Sequence, residues 1–181
     1  LYTLGFYGST ALANAGYLDV NAKIGHVKNE FKASNASGTL NGDYSATGYS
    51  LSAQYGKRFG DIKTGYFEPQ MQLTWSRLGS ADYNASAGAL GSVNVNQDAF
   101  DSFVASVGLE AGQASEHGNY YARLNLMHEF SGDVNTYLLD SAGGTKNTSY
   151  DLKGTWSELT LGGTYNLSKC SNFYADITKT L

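Results

Sequence analysis

The chain has 181 residues, 41% of them hydrophobic and 15% charged, and a net charge of −4. No run of about 18 apolar residues occurs, which excludes a transmembrane helix but not membrane strands, whose apolar side chains fall at every second position. The acidic balance argues against a nucleic-acid footprint. Cys170 is the sole cysteine, and the three histidines (His26, His117, His128) lack metal-ligand spacing, so no disulfide, metal or cofactor is expected within the chain. The 22 glycines, 14 tyrosines and single proline fit a β-rich chain with aromatic decoration. It begins at Leu1 without an initiator Met or signal peptide, as expected of a processed or truncated product.

Taken in order, Leu1–Leu12 reads as a strand and 13–16 as a short turn. Tyr17–Val27 sets Leu18, Val20 and Ile24 against Asp19 and Lys23. Residues 29–43 are polar and rich in Gly, Ser and Asn, and predict a longer loop. Ser45–Phe59 alternates Tyr49, Leu51 and Tyr55 with Ser50, Gln54 and Arg58, and 60–64 is a short turn. The next strand, Gly65–Ser76, alternates most strictly. Phe67, Pro69, Met71, Leu73 and Trp75 point one way, and Glu68, Gln70, Gln72, Thr74 and Ser76 the other.

Residues 77–99 predict a second long loop. Strand 101–112 carries Glu110 opposite Val107 and Leu109, with Val104 out of pattern. After a turn at 113–118, Asn119–Phe130 sets Leu124 and Leu126 against Arg123 and Glu129. A third long connection, 131–154, carries a VNTYLLD segment able to extend the strands on either side of it. Trp156–Leu167 opposes Leu161 to Glu158, and Asn172–Thr180 opposes Phe173 to Asp176 across the turn 168–171.

The pattern predicts an all-β fold: an antiparallel up-and-down transmembrane β-barrel wall of eight strands. Connections alternate between short and long, which is the arrangement of outer-membrane barrels, with tight turns at the periplasmic end and long loops outside. Strands of about 10–13 residues suit a tilted bilayer crossing better than a soluble sheet. The charges lie opposite the aliphatic residues, and aromatic residues gather toward strand ends. The lumen-lining row is therefore expected to hold Asp19, Lys23, Gln54, Arg58, Glu68, Gln70, Gln72, Glu110, Arg123, Glu129, Glu158 and Asp176. The lipid-facing row is expected to hold Leu18, Val20, Ile24, Leu51, Phe67, Met71, Leu73, Trp75, Leu124, Leu126, Leu161 and Phe173.

Short segments recur in order along nearly the whole chain: Gly16–Asp19 with Lys23, Gly56–Phe59, Tyr66–Leu73, Asn94–Asp101, His128–Gly132, Gly154–Leu161 and Phe173–Asp176. Together they resemble the C-terminal translocator domain of classical monomeric autotransporters, the type V secretion system of Gram-negative bacteria. The resemblance implies a barrel of twelve strands around a lumen plugged by a helix. Residues 1–181 would then be a partial β-domain, strands four to eleven, without the plug helix, the first strands and the C-terminal strand. It also implies location in the cell outer membrane. The partners it implies are outer-membrane lipid, the protein's own passenger segment and the barrel assembly machinery, which reads the C-terminal strand.

Some members of that family cleave their passenger in the lumen, by cyclisation of an Asn assisted by acidic side chains. Asp19 matches one acid position, but Gln54 stands where the second acid would lie, and an amide cannot move a proton as a carboxylate does. Ser106 stands where many members have an Arg. No catalytic residue is expected in this chain, and its charges are expected to form ion pairs and hydrogen bonds across the wall. Pro69 should forfeit a ladder bond near the periplasmic rim. His128 should lie at the outer rim, and Trp75 and Trp156 should anchor the lipid interface.

The expected function is anchoring and export of an N-terminal passenger through an outer-membrane pore wall. The alternative is a free-standing eight-stranded barrel with structural or adhesive loops. An enzyme on a barrel scaffold has no Ser–His–Asp spacing to support it.

Overall fold

The computed structural model describes residues 1–35, 38–86, 91–168 and 170–181, and they form one antiparallel sheet of 13 strands. Eight long strands make a meander: β1 (Tyr2–Ala11), β2 (Gly16–Asn35), β3 (Gly38–Lys57), β5 (Gly65–Leu78), β8 (Phe100–Ser115), β9 (Gly118–Glu129), β12 (Gly154–Ser168) and β13 (Ser171–Thr180). Each pairs with the next in that order. Among the described residues β1 pairs only with β2, and β13 only with β12, so the sheet is not closed. Every residue of both edge strands is exposed.

The short connections cluster at one end. The first is a 3-10 turn, Ala13–Ala15, with Asn14 and Ala15 at φ of 61° and 60°. Left-handed backbone at Ala costs roughly 1–2 kcal/mol, which the surrounding hydrogen bonds must outweigh. The Ala15 carbonyl accepts the Arg58 amide (3.1 Å). That bond carries the β2–β3 ladder one pair beyond Gly16–Lys57, while the β3–β5 ladder on the other side of the strand breaks opposite Pro69. Pairing stops at Gly56–Gln70 and resumes at Phe59–Phe67, where the short strand β4 (Phe59–Asp61) begins. Pro69 has no N–H to give, and its place near the short-turn end agrees with the sequence expectation.

The long connections differ from expectation. Residues 29–43, read as a loop, are mostly the outer arms of β2 and β3, whose ladder runs without a break from Gly16–Lys57 to Asn35–Gly38. At 20 residues each the two strands are twice as long as the roughly 9–11 residues that a crossing needs. Residues 77–99 likewise contain β6 (Ala81–Ser86) and β7 (Ser92–Gln97). Residues 131–154 hold β10 (Asp133–Asp140) and β11 (Thr145–Asp151), as the VNTYLLD segment suggested. These strands continue the sheet in the order β11-β10-β7-β6-β3. β11 is exposed at all but one residue and carries no apolar alternation, while β6 and β7 alternate over only six residues each, too short a run to stand out from a loop.

A small core lies where β6 and β7 meet β3, with Ala46, Ala81, Ala85 and Val95 buried. Tyr83 stacks on Tyr44 (5.0 Å between centroids) and meets the edge of Phe31. Asp140 closes the β10–β11 turn by accepting the amides of Ala142 and Gly144, both at 2.8 Å. At the base of that hairpin the Lys153 ammonium donates to Asp133 (2.8 Å), which holds the lysine above its ordinary pKa. A raised lysine pKa means that this pairing is complete below the ordinary lysine range and is lost only as pH climbs through the raised value. The hairpin base is therefore indifferent to pH around neutrality from this side.

Candidate functional site

Residues paired across a ladder point to the same face, so register decides which side chains share a surface. One line runs Asp19–Gln54–Gln72–Ser106–Met127–Trp156, and another runs Glu68–Glu110–Arg123–Thr160–Thr178. All twelve residues expected on the polar row fall on this one face. The twelve expected on the apolar row share the opposite face. Leu18 is half-buried and the other eleven are exposed, Leu73 at 53% and Met71 at 56%.

Burial is inverted relative to a water-soluble fold. Among the described residues outside the small outer core, the buried side chains are Glu68 (2% exposed), Glu110 (6%), Glu129 and Thr160. Carboxylates are almost never buried without partners, and these have them.

A belt of cross-strand contacts runs near the short-turn end. Glu68 accepts Tyr17 Oη (2.9 Å) and Gln70 Nε2 (2.8 Å) on Oε1, and Arg58 Nε (2.8 Å) on Oε2. Arg58 lies over the Tyr66 ring at 4.6 Å, and Tyr66 Oη donates to Glu110 Oε1 (2.8 Å). Glu110 Oε2 takes Arg123 Nε (2.8 Å), and the Arg123 guanidinium lies 5.3 Å from the Tyr121 ring. Tyr121 Oη donates to Asp176 Oδ1 (2.7 Å), and Tyr174 donates to the other oxygen. The sequence of contacts is tyrosine, carboxylate, arginine, then the next tyrosine. It links β2, β5, β8, β9 and β13, with Arg58 joining from the residue that follows β3.

Glycine makes the longer reaches possible. Tyr17 lies opposite Gly56, and a Cβ there would come within 2.5 Å of the Tyr17 ring. Over that gap Tyr17 passes β3 to reach Glu68 on β5. Tyr121 repeats the arrangement over Gly162, where a Cβ would lie 2.7 Å from the ring, and reaches Asp176 on β13.

The remaining polar-row residues do other things. Gln54 donates its amide to Tyr17 Oη (3.0 Å). Asp19 lies beside Gln54 in register, with Oδ1 buried and without a hydrogen-bond partner. Lys23 has no ion pair among the described residues. Gln72 donates to Thr74, and Glu158 accepts Trp156 Nε1 at 3.3 Å. Trp156 thus shares the polar face with Glu158, which corrects its assignment as a lipid anchor. Trp75 does lie on the apolar face, opposite Phe103.

Glu129 fastens the long-loop end of the wall. Its carboxylate accepts the amides of Phe103 (2.7 Å) and Ser131 (3.0 Å) and the Ser102 hydroxyl. In full-length protein Glu129→Ala should strand these donors in a buried site and lower stability by about 1–3 kcal/mol. Urea unfolding of the refolded barrel measures the loss. Limited proteolysis should show faster cleavage within 131–154.

The belt tyrosines were missed from sequence, where tyrosine reads as girdle decoration. The available signal was the aromatic doublet following a short turn: Tyr66-Phe67, Tyr120-Tyr121 and Phe173-Tyr174. Period-two alternation places one ring of each doublet on each face. Tyr120 and Phe173 are accordingly exposed on the apolar side.

The Autotransporter beta-domain family model matches residues 1–178. The pertactin autotransporter of Bordetella parapertussis is 29% identical over 92% of this chain, and the probable autotransporter YcgV of Escherichia coli is 30% identical over 97%. The chain spans 18% of the length of each. Among solved structures, the translocator domain of autotransporter NalP from Neisseria meningitidis superposes with a TM-score of 0.74 at 17% identity. That match covers 98% of this chain and 59% of that one. By its family match this chain belongs to the autotransporter β-domains.

Proposed function

We propose that this chain is wall of an outer-membrane translocator that anchors an N-terminal passenger and supports its export to the cell surface. The observation that carries the reading is the inverted burial: Glu68 and Glu110 are enclosed and hydrogen-bonded while Met71, Leu73, Leu124 and Leu161 stand bare. Bare aliphatic side chains in a continuous band need lipid, and a polar row opposite them needs water. The polar face lines the lumen and the apolar face meets the bilayer. Aromatic side chains bound the band at both ends, with Phe67, Tyr120 and Phe173 toward the short turns and Trp75, Phe103 and Phe130 toward the long connections.

The two edge strands favour one arc of a larger barrel over a free-standing eight-stranded one. Open edges are costly in a bilayer, where no water satisfies their N–H and C=O groups. We infer that strands outside this sequence complete the wall, with the barrel assembly machinery acting on the whole domain. Export works by hydration and confinement, with no covalent chemistry on the passenger by these residues. What supports this is that Gln54, at the position of an expected acid, is an amide engaged with Tyr17.

Insertion of the full-length product into planar bilayers tests the reading. Discrete conductance steps are expected once the plug is removed. Absence of any conductance from correctly inserted protein would instead indicate a filled barrel.

A further inference from the structure

The wall exchanges its faces where it leaves the apolar band. β2 and β3 pair without a break, but the strands beyond them slip by one residue. β3 meets β5 at Gly48–Leu78 and β6 at Asn41–Ser86, which are one residue out of step. β9 meets β12 at Gly154–Glu129, and β10 meets β11 at Asp133–Asp151, again out of step by one. A one-residue slip turns every side chain of a strand to the other face. Tyr83 accordingly stacks inward on Tyr44, which shares its face with Gln54, while Asp82 and Asn84 point outward. The apolar residues of β6 and β7 close the small outer core, and the polar ones continue the apolar side of the wall.

Two ladder rows carry that outward surface. One runs Asp82–Asn96–Tyr137–Asn147 and the other Asn84–Asn94–Leu139–Thr145. Every residue of both rows is exposed, and together they hold one carboxylate and no cation. Asn84 Nδ2 donates to Asn94 Oδ1 (2.9 Å), and Asn96 donates to Asp82. These pairs hold the amides in place, yet the Asn94 amide N–H groups and the Asn96 carbonyl keep no side-chain partner among the described residues. The rows also stand high. Asn96 lies seven residues outward of Phe103, which with Trp75 ends the apolar band. That distance is about 23 Å of strand and, at a tilt of about 40°, about 18 Å of height. The head-group layer beside the hydrocarbon core is only about 5–8 Å thick. The rows are thus above the head groups of ordinary phospholipid, at the level of a sugar chain carried on lipid.

We propose that this panel, Asp82, Asn84, Asn94 and Asn96 with Tyr137 and Asn147, binds the saccharide of glycolipid in the outer leaflet. The proposal rests on the reading that the apolar face lies in lipid, because the panel continues that face. Sugar hydroxyls both donate and accept, which matches amides with an open N–H on one residue and an open carbonyl on the next. The exposed Tyr137 ring offers an apolar surface to the C–H face of a sugar and a hydroxyl at its tip. A phosphate would call for arginine or lysine, and neither row has one.

The test uses the full-length protein refolded into phosphatidylcholine vesicles, alone, with lipopolysaccharide, or with lipid A freed of its sugar chain. The readouts are the thermal midpoint and lipid affinity. Lipopolysaccharide should raise the midpoint more than lipid A does, and free core oligosaccharide in solution should cancel the difference. The double variant Asn94→Ala, Tyr137→Ala should insert normally and bind lipopolysaccharide about tenfold more weakly, with its affinity for lipid A unchanged. Lys146→Ala, on the inward face of the same sheet, should behave as the unaltered protein. Equal affinity of the unaltered protein for lipopolysaccharide and lipid A would overturn the site, whether or not the variant folds. So would a double variant that keeps the full difference, or association of barrels through these residues in plain vesicles. Failure of the unaltered protein to insert even into plain vesicles would instead overturn the membrane reading beneath it.

Discussion

Leu73→Arg in the full-length protein is expected to prevent stable assembly in the outer membrane, while Gln72→Arg one residue away is tolerated. Leu73 is 53% exposed at the centre of the apolar band, with Ala53 and Ala105 beside it in register. An arginine at the bilayer midplane costs roughly 2–4 kcal/mol, and small neighbours give its guanidinium nothing to bond. Gln72 sits between Gln54 and Ser106 on the hydrated face. An arginine there exchanges one polar group for another and leaves the wall intact. The measurement is the fraction of protein resistant to urea extraction from outer membranes. Equal effects at the two positions would reverse or abolish the assignment of faces.

The second large effect is expected at Arg58. Its guanidinium supplies the charge partner of Glu68, with Nε and Nη2 both 2.8 Å from Oε2. Glu68 has 2% exposure and cannot turn to water when the arginine is removed. Breaking a buried pair from one side costs about 3–5 kcal/mol. Arg58 is itself 39% exposed, which places the expected loss for Arg58→Ala at the lower end, about 3 kcal/mol. Adding Glu68→Gln should recover part of it, because a neutral amide no longer needs the cation. A double-mutant cycle by urea unfolding measures the coupling. A loss below about 0.5 kcal/mol would mean that the belt is an exposed ion pair of little consequence.

Much of this architecture was legible in the sequence because a bilayer imposes a period of two on every crossing. Glu68 to Ser76 and Phe67 to Trp75 could be assigned to opposite faces without coordinates, and the ladders agree. Alternating loop lengths gave strand direction. The constraint ends where the chain leaves the apolar band. The outer arms of β2 and β3 are rich in Gly, Asn, Ser and Thr, and β6 and β7 alternate over only six residues each, with Ala81, Tyr83 and Ala85 in one and Val93 and Val95 in the other, too short a run to announce pairing that depends on backbone hydrogen bonds. Trp156 was misplaced for a related reason, since the preference of tryptophan for interfaces was weighed above its parity with Glu158. Gln54, Glu68, Arg123 and Asp176 were recognised singly. What joins them is tyrosines reaching over glycines, and only cross-strand register places Tyr17 on Gly56 and Tyr121 on Gly162.

The facing of β5 decides the matter, with every second residue expected to meet lipid. Single cysteines placed from Gln70 to Ser76 in full-length Cys170→Ser protein, spin-labelled and reconstituted in vesicles, test it directly. Accessibility to dissolved oxygen should peak at Met71, Leu73 and Trp75. Accessibility to a water-soluble nickel complex should peak at Gln70, Gln72 and Thr74. The opposite phase, or no alternation along the strand, would contradict the membrane wall proposed for this chain.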